Sequence, residues 1–450
     1  MSHRHYFKIN RIKTTTMATH DIQILQFGTG NFLRAFLGSM IQDLNDAGNP
    51  LNICIIQSTS GNSIDKLAAQ NFNYHLLVAG FKDGQEVETT REITCVKDGL
   101  RLPDEAEKFF EFSSSTSVKW LVSNVTEAGM IWKNEREFEK LAESFAGRLT
   151  QWLHRRFLTI PQAETVVLPC ELLPNNGDLL KGFVLDHAKA WNISASFSTW
   201  IEEKVTFLNS LVDRIVPGFP SHLDLALKES DPFLVQAEPY ALWAIQGSAS
   251  QKANLPFLES KSEVILAEDI SGYALRKVRI LNASHTAMTG HGMLNGVETV
   301  GEWIGDSERE QFLKEMIAEE ILPTMDLDQA ALAKYSEEVL DRFRNPFVSH
   351  KLSDISLNSI AKLKSRLLPI FADFQAKKGH FPPKLSSCLL SMVLFYLRNP
   401  DKIRDGQQVK AWFESLPNDQ PELESLKLAL AEWLQLEWNP EFESAYNKLI

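Results

Sequence analysis

The sequence predicts an α/β domain with a mixed sheet, followed by a mostly helical domain. An apolar run at residues 22–27 ends at Gly28-Thr29-Gly30, and apolar residues then recur at helical spacing over residues 32–44. A second apolar run at residues 51–57 completes a strand–turn–helix–strand unit, which is typical of a parallel sheet. From about residue 270 onward, long helical periodicities replace these short runs. This change in pattern predicts a boundary between two domains.

The remaining elements are predicted from the same two periodicities. Apolar runs predict strands at residues 74–79, 87–96, 118–123, 166–168 and 205–208. The Asp83-Gly84 dipeptide predicts a hairpin, so we expect antiparallel pairing next to the parallel strands. Helical spacing predicts helices at residues 309–321, 328–343, 355–374, 385–397 and 423–434.

Composition and charge limit the classes of function. The chain has 450 residues and a formal net charge of -12, which argues against nucleic acid or an anionic membrane as the main partner. Its four cysteines, Cys54, Cys95, Cys170 and Cys388, are widely spaced, as expected for free thiols in a reducing compartment. No apolar run approaches the ~20 residues of a membrane span. We therefore expect a cytoplasmic protein with a small-molecule partner.

The Gly28-Thr29-Gly30 turn lies where a dinucleotide-binding fingerprint requires glycine. The first glycine permits a tight turn, and the second lets a pyrophosphate approach the backbone at a helix N-terminus. Leu33 occupies the third glycine position, and Gln57 stands where an acidic residue usually binds the ribose 2′-hydroxyl. The motif alone also fits a plain tight turn, and it leaves the choice between NAD and NADP open.

These observations divide the chain into three parts. Residues 1–17 form a leader that we expect to be disordered, with Met17 as an alternative start to Met1. Residues 18–268 form a Rossmann-like dinucleotide-binding domain. Residues 269–450 form a helical domain for substrate binding and catalysis.

The segment RKVRILNASH (276–285) carries the polar residues with the clearest catalytic chemistry. On a regular helix Lys277 and His285 share one face about 12 Å apart along the axis, and Asn282 lies on its flank. A lysine flanked by two arginines and partly desolvated would have a lowered pKa and could serve as a general base. The alternative is an ordinary half-buried helix with a snorkelling lysine and a packing histidine. His285 and His291 lack zinc-site spacing, so we expect no metal.

Five motifs, in this order along the chain, resemble the mannitol dehydrogenase family of long-chain, polyol-specific dehydrogenases. The resemblance spans roughly residues 21–450, and its middle motifs are specific. The motifs are GTGNFLRAF (28–36), SNVTEAG (123–129), LPCELLPNNGD (168–178), FLNSLVDRIVP (207–217) and KVRILNASH (277–285). The resemblance implies NAD as the cofactor and a metal-independent hydride transfer.

Roles for individual residues follow from the resemblance. It implies that Lys277 is the general acid/base, that Asn209 and Asn282 polarise the reacting oxygen, and that His285 binds and orients the substrate. Around the cofactor we expect Gly28, Gly30, Asn31, Phe32, Gln57 and Asn124, although a turn-forming role is an alternative for Asn124. For the substrate we add Lys362, as the cation opposite a carboxylate, and His350.

Within the family, GTGNFLRAF, CELLPNNGD and NPFVSHKLSDISLNS (345–359) are most similar to the members that reduce tagaturonate to altronate. The resemblance thus implies a sugar-acid substrate, with fructuronate reduction or mannitol 2-dehydrogenation as alternatives. It favours a monomer. An alternative from another functional class is a regulatory protein that binds a dinucleotide without turning over a substrate. The presence of Lys277, Asn282 and His285 together argues against it.

Overall fold

The computed structural model describes residues 21–135, 137–417 and 419–450, so the leader predicted at residues 1–17 lies outside the described residues. The described chain forms two compact units. Unit 1 comprises residues 21–33, 41–73 and 93–208, and unit 2 comprises residues 34–40, 74–92 and 209–450. The domain boundary predicted at residue 268 stays a prediction.

Most of the strands in the described residues are short, and five of the twelve are buried along their whole length. In chain order they are β1 Ile24–Phe27, β2 Ile53–Gln57, β3 Tyr74–Lys82, β4 Gln85–Ile93, β5 Val96–Arg101, β6 Trp120–Ser123, β7 Thr165–Pro169, β8 Val205–Phe207, β9 Ser210–Asp213, β10 Val235–Ala237, β11 Leu242–Gln246 and β12 Glu263–Ala267.

Unit 1 is built on a six-stranded parallel sheet. Its strand order is β5-β2-β1-β6-β7-β8, and β1 pairs in parallel with both β2 and β6. All residues of β1, β2, β6 and β7 are buried, which explains why these strands appear in the sequence as continuous apolar runs. The chain order reverses between β1 and β6. In such sheets the crevice outside the carboxyl ends of the two strands at this switch point binds ligands.

Unit 2 contains two three-stranded sheets, ordered β10-β3-β4 and β12-β11-β9. The predicted hairpin joins β3 to β4, and its two turn residues, Asp83 and Gly84, both have positive φ, as a two-residue type I′ turn requires. In the other sheet β11 pairs antiparallel with β9 and parallel with β12. The strand predicted at residues 87–96 is in fact two strands, β4 and β5, which belong to different sheets.

The helices up to residue 204 are α1 Asn31–Ala35, α2 Leu37–Asp46, α3 Ser63–Ala69, α4 Ala106–Glu111, α5 Phe145–Thr159, α6 Asn176–Ala190 and α7 Ala195–Lys204. The later helices are α8 Leu227–Ser230, α9 Ser271–Arg276, α10 Ala283–Leu294, α11 Val300–Ile304, α12 Ser307–Glu315, α13 Gln329–Phe343, α14 Leu352–Ile355, α15 Ser359–Lys362, α16 Leu368–Lys378, α17 Pro383–Arg398, α18 Gln407–Glu414, α19 Glu422–Ala429 and α20 Pro440–Leu449.

Short 3₁₀ and π-helical segments occur beside these helices or between other elements. The 3₁₀ segments are Phe112–Ser114, Ala249–Asn254, Pro256–Glu259, Leu322–Thr324 and Pro400–Lys402. The π-helical segments are Lys277–Asn282, Met316–Ile321, Leu363–Leu367 and Leu430–Leu434. Each unit has its own apolar core, and α10 and α17 contribute much of the core of unit 2. Within the described ranges no helix is long and apolar enough to cross a membrane.

Candidate active site

The glycine turn follows β1 at the switch point of the parallel sheet. Gly28 has φ +122°, and a Cβ placed there would lie 2.9 Å from the backbone carbonyl oxygen of Asn124. This position therefore requires glycine both for its conformation and for the close approach of the loop after β6. A Cβ at Gly30 would meet no atom within 4 Å among the described residues. The backbone at Gly30 is thus open to a ligand, at the start of α1, whose first two residues are Asn31 and Phe32.

Gln57 and Asn124 both hold the backbone of loops at this edge of the sheet. The Gln57 side chain donates to the carbonyl oxygens of Thr59 and Gly61 at 3.0 and 3.1 Å, and it accepts from the backbone N–H of Ile64. Asn124 donates from Nδ2 to the carbonyl oxygen of Cys170 at 2.8 Å. Both side chains shape the loops around the glycine turn, and their contact with a cofactor stays a prediction.

Glu171 is a buried residue of this edge that sequence reasoning did not single out. It accepts from the backbone N–H of Val125 at 2.8 Å and from the hydroxyl of Ser123 at 3.1 Å. Burial raises the pKa of Glu171, while these hydrogen bonds favour its ionised form. Glu171 therefore ties the end of β7 to the loop after β6. Its place in LPCELLPNNGD was the available signal.

The segment that carries Lys277 and Asn282 is not the regular helix that we expected. Lys277–Asn282 forms a π-helical turn between α9 and α10. Hydrogen bonds of a π-helix join residues five apart, so Lys277 and Asn282 lie above one another instead of on adjoining faces. The regular-helix expectation placed Asn282 on the flank, and the wider turn corrects it. Single π turns inside α-helices are frequent at functional sites.

Lys277 is half-buried, with 14% of its side chain exposed, and its amine has two oxygen partners. Its Nζ donates a 2.8 Å hydrogen bond to the backbone carbonyl of Val212 and lies 3.5 Å from Oδ1 of Asp213. Burial lowers the pKa of Lys277, and the Asp213 carboxylate offsets only part of this effect. An amine with a lowered pKa exchanges protons closer to neutral pH than an exposed lysine does, which suits a general acid or base.

Three residues that sequence reasoning missed surround Asp213. Arg342 forms a bidentate pair with Asp213, with N···O distances of 2.9 and 3.0 Å, and its Nε donates to Glu238 at 3.0 Å. The Tyr335 hydroxyl donates to Asp213 at 3.1 Å. The only signal in the sequence was a position: Tyr335 and Arg342 are seven residues apart, two turns along the buried face of α13.

The charges of this network are set by burial and by close pairing. Burial alone would raise the pKa of Asp213, but the charges of Arg342 and Lys277 outweigh it and hold that pKa well below its usual range. Burial raises the pKa of Glu238, against the opposing effect of Arg342. Asp213 therefore stays ionised beside Lys277 and stabilises the ammonium form of that lysine.

The two asparagine amides that we expected at the reacting oxygen differ in their surroundings. Asn209 precedes β9, the strand that supplies Val212 and Asp213, and its Nδ2 donates to Gln246 at 3.1 Å. The half-buried side-chain amide of Asn282 has no hydrogen-bond partner within residues 21–135, 137–417 and 419–450. The Asn282 amide is thus available to a ligand on the side of the helix where Lys277 stands.

His285 is buried, and its Nε2 has no hydrogen-bond partner in the described part of the chain. The ring packs 4.6 Å from that of Phe343 and 4.7 Å from that of His350, measured between centroids. Burial lowers the pKa of His285 well below its usual value, with further contributions from His350 and Arg342. The imidazole is therefore neutral at pH 7. A buried ring nitrogen without a hydrogen-bond partner costs about 1–3 kcal/mol of stability. A hydrogen bond with a ligand hydroxyl would recover this cost.

Two cations lie on α15 and on the π-helical segment that follows it. Lys362, which we expected to bind a substrate carboxylate, donates from Nζ to the carbonyl oxygen of Ile355 at 2.7 Å. Arg366, one turn further on, donates to the hydroxyl of Thr286 at 3.2 Å, next to His285 in the sequence. Lys364, between them, is exposed. Over the described ranges, no group of three or more His, Cys, Asp or Glu side chains is arranged to hold a metal ion.

Comparison with known proteins agrees with this architecture. Residues 22–259 match the model of the mannitol dehydrogenase Rossmann domain, and residues 269–445 match that of the mannitol dehydrogenase C-terminal domain. An altronate oxidoreductase of Bacillus subtilis is 35% identical over 418 residues, which are 91% of this chain and 86% of that protein. An altronate oxidoreductase of Halalkalibacterium halodurans is 38% identical over 386 residues, 83% of this chain and 75% of that protein.

Solved structures show the same fold. Pseudomonas fluorescens mannitol 2-dehydrogenase, in a ternary complex with NAD and D-mannitol, matches with a TM-score of 0.69 at 22% identity and covers 95% of this chain and 91% of its own. A substrate-free D-sorbitol dehydrogenase matches with a TM-score of 0.71, also at 22% identity, over 84% of this chain and 81% of its own. The predicted Rossmann-like domain, its dinucleotide-binding class and the helical C-terminal region are thus confirmed. The chain belongs to the mannitol dehydrogenase family of oxidoreductases and carries both of its domains.

Proposed function

We propose that this protein is an NAD-dependent oxidoreductase that reduces D-tagaturonate to D-altronate, with Lys277 as the general acid/base. The observation that supports the mechanism is a half-buried lysine with a lowered pKa, beside an ionised Asp213 and an Asn282 amide that has no hydrogen-bond partner among the described residues. The altronate oxidoreductases of Bacillus subtilis and Halalkalibacterium halodurans, similar over most of their length, support the substrate.

The residues of unit 1 fit a dinucleotide. Gly28 allows the tight turn, and the open backbone at Gly30 leaves room for a pyrophosphate at the start of α1. Asn31 and Phe32 follow at once on that helix, and Gln57 and Asn124 hold the neighbouring loops. A nicotinamide dinucleotide bound by these residues would supply the hydride.

The residues of unit 2 handle the oxygen and its proton. As the carbonyl carbon of tagaturonate is reduced, the ammonium of Lys277 donates a proton to the oxygen, and the neutral amine then regains a proton from solvent. In the reverse direction the neutral amine accepts the proton of the altronate hydroxyl. The amides of Asn282 and Asn209 stabilise the negative charge on that oxygen, and Nε2 of His285 binds a substrate hydroxyl.

The test is NADH oxidation at neutral pH with tagaturonate, fructuronate and fructose, for the native protein and Lys277→Ala. We expect tagaturonate to be preferred and kcat in Lys277→Ala to fall by at least about 10²-fold, the usual scale of general acid–base catalysis. Lys334→Ala is the matched control, because the Lys334 side chain is 80% exposed on α13. This control should keep full activity.

Each other result points to a different conclusion. A preference for fructuronate or fructose would reject tagaturonate as the substrate and leave the role of Lys277 intact. Equal activity of Lys277→Ala and Lys334→Ala would reject Lys277 as the acid/base. Binding of NADH without turnover of any of the three substrates would reject the enzyme in favour of a regulatory dinucleotide-binding protein.

A further inference from the structure

We propose that Arg366 binds the carboxylate of the substrate and thereby selects sugar acids over neutral sugars. This inference rests on the proposed function and deepens it. From the sequence, Lys362 was the expected cation for the carboxylate. The surroundings of the two side chains favour Arg366 instead.

Arg366 is half-buried with few partners. A guanidinium has five N–H donors. In the part of the chain that the structure describes, Arg366 makes one side-chain hydrogen bond, from Nη1 to the Thr286 hydroxyl at 3.2 Å. No carboxylate in the described ranges forms an ion pair with it, and burial lowers its pKa without an opposing acid. Arginines are rarely taken out of water without an anion, so this one has room for an anion from solution.

Arg366 is tied to the catalytic helix. The Thr286 hydroxyl that accepts from Arg366 donates to the backbone carbonyl of Asn282 at 2.9 Å. Thr286 also follows His285, whose Nε2 lacks a partner among the described residues, and the charge of Arg366 contributes to the low pKa of His285. The Arg366 guanidinium thus lies close to the His285 imidazole and, through Thr286, is linked to the backbone of Asn282.

The neighbours of Arg366 are less suited than Arg366 to bind an anion. Burial lowers the pKa of both His285 and His350, so these rings donate hydrogen bonds as neutral groups. The Lys362 ammonium donates to the carbonyl of Ile355, and burial lowers its pKa as well, with Arg366 adding to the effect. Arginine stays charged in such a place, and its planar fork matches a carboxylate with two parallel hydrogen bonds.

The substrate supplies the matching group. Tagaturonate carries its carboxylate at the opposite end of the carbon chain from the reacting ketone, whereas tagatose has the same ketone and a hydroxymethyl group at that end. A charge-assisted pair at Arg366 would therefore favour the acid over the neutral sugar. Hydrogen bonds to charged groups suggest a preference of about 10- to 100-fold.

The experiment compares Arg366→Gln, Arg366→Lys and the control Lys364→Gln, which removes an exposed positive charge two residues away. The first readout is kcat/KM for tagaturonate and for tagatose. We expect Arg366→Gln to lose about 10- to 100-fold with tagaturonate and little with tagatose. Arg366→Lys should recover part of the loss, and Lys364→Gln should match the native protein.

A second readout does not depend on turnover: calorimetric binding of altronate and of altritol, its neutral counterpart, in the presence of NADH. Tighter binding of altronate by the native protein, lost in Arg366→Gln, supports the proposal even if no reaction occurs and the proposed function fails. Equal affinity of the native protein for altronate and altritol, or failure to bind altronate, overturns it. So does an equal loss of kcat/KM with both sugars in Arg366→Gln, because a merely structural role would give that result.

Discussion

The two glycines of the dinucleotide turn are required for different physical reasons. Gly28 is needed by the fold for two reasons. Its φ is +122°, which other residues rarely adopt, and a Cβ added there would lie 2.9 Å from the carbonyl oxygen of Asn124. Gly30 has open space around the same position. The pyrophosphate that we propose at this turn would explain the glycine at this position, because no described residue crowds it.

This difference predicts opposite behaviour for two alanine substitutions. Gly28→Ala should destabilise the protein by about 1–3 kcal/mol, because a non-glycine residue is strained at that φ. Gly30→Ala should keep its unfolding midpoint but weaken NADH binding by about tenfold or more, which corresponds to about 1.4 kcal/mol. Thermal unfolding and fluorescence titration with NADH measure the two effects. Gly182→Ala, in open space on α6, is the control. Native-like NADH affinity in Gly30→Ala would contradict a pyrophosphate at this turn.

At the scale of single elements, the sequence predicts well where the signal is local. The unit from residue 22 to residue 57 is confirmed as β1, α1, α2 and β2, because apolar spacing and a glycine turn fix it. The helix predicted at residues 355–374 is instead α14, α15, a π turn and α16. Asn358 adopts φ +56° there, and its N–H bonds the carbonyl of Arg404, a distant contact that apolar spacing does not reveal. The π turn at Lys277 escapes prediction for a similar reason, since one extra residue per turn barely changes the apolar pattern.

One such turn also anchors a core helix. Glu320, on the π segment Met316–Ile321, accepts from the first backbone N–H groups of α17, those of Lys384 and Leu385, at 2.7 and 2.8 Å. Glu320→Ala should therefore destabilise the protein by about 2 kcal/mol, because two buried donors lose their acceptor. Glu320→Gln keeps one acceptor oxygen and should lose less. Denaturant unfolding followed by tryptophan fluorescence measures the stability of both variants. An equal unfolding midpoint for Glu320→Ala and the native protein would show that the Glu320 hydrogen bonds to the start of α17 are dispensable.

At the scale of the whole chain, the site of unit 2 depends on residues that only the fold brings together. The segment from Lys277 to His285, which we propose to be catalytic, could be singled out in the sequence because it is contiguous. The Asp213–Arg342 pair joins residues 129 positions apart, and Glu238 lies on a third segment. A buried charge on α13 resembles any other polar residue of an amphipathic helix until its partners are known. The sequence alone could therefore single out the contiguous part of the candidate site, but not the distant residues that set the charge around Lys277.

The same network predicts how unit 2 responds to acid. The pKa of Asp213 is lower in the folded than in the unfolded protein, so its contribution to stability is present above its unfolded pKa near 3.9 and is lost as pH falls through its folded pKa. Arg342→Met leaves Asp213 and Glu238 buried without that cation and should cost about 3–5 kcal/mol at pH 7. Burial then raises the pKa of Glu238 further, and the pKa of Asp213 rises as well because only Lys277 remains to oppose its burial. Protonation of these carboxyls should therefore reduce the difference in the free energy of unfolding between Arg342→Met and the native protein as pH falls towards 5.

Urea unfolding of Arg342→Met and of the native protein at pH 7 and at pH 5 measures this difference in the free energy of unfolding. Arg344→Met is the matched control, because Arg344 lies directly after the same helix and pairs with Asp341 and Glu310 near the surface, where such pairs contribute about 0–1 kcal/mol. Its effect should be small at both pH values. A loss in Arg342→Met that is no larger than in Arg344→Met, or one that does not change with pH, would mean that the buried carboxylates do not depend on Arg342 for their charge.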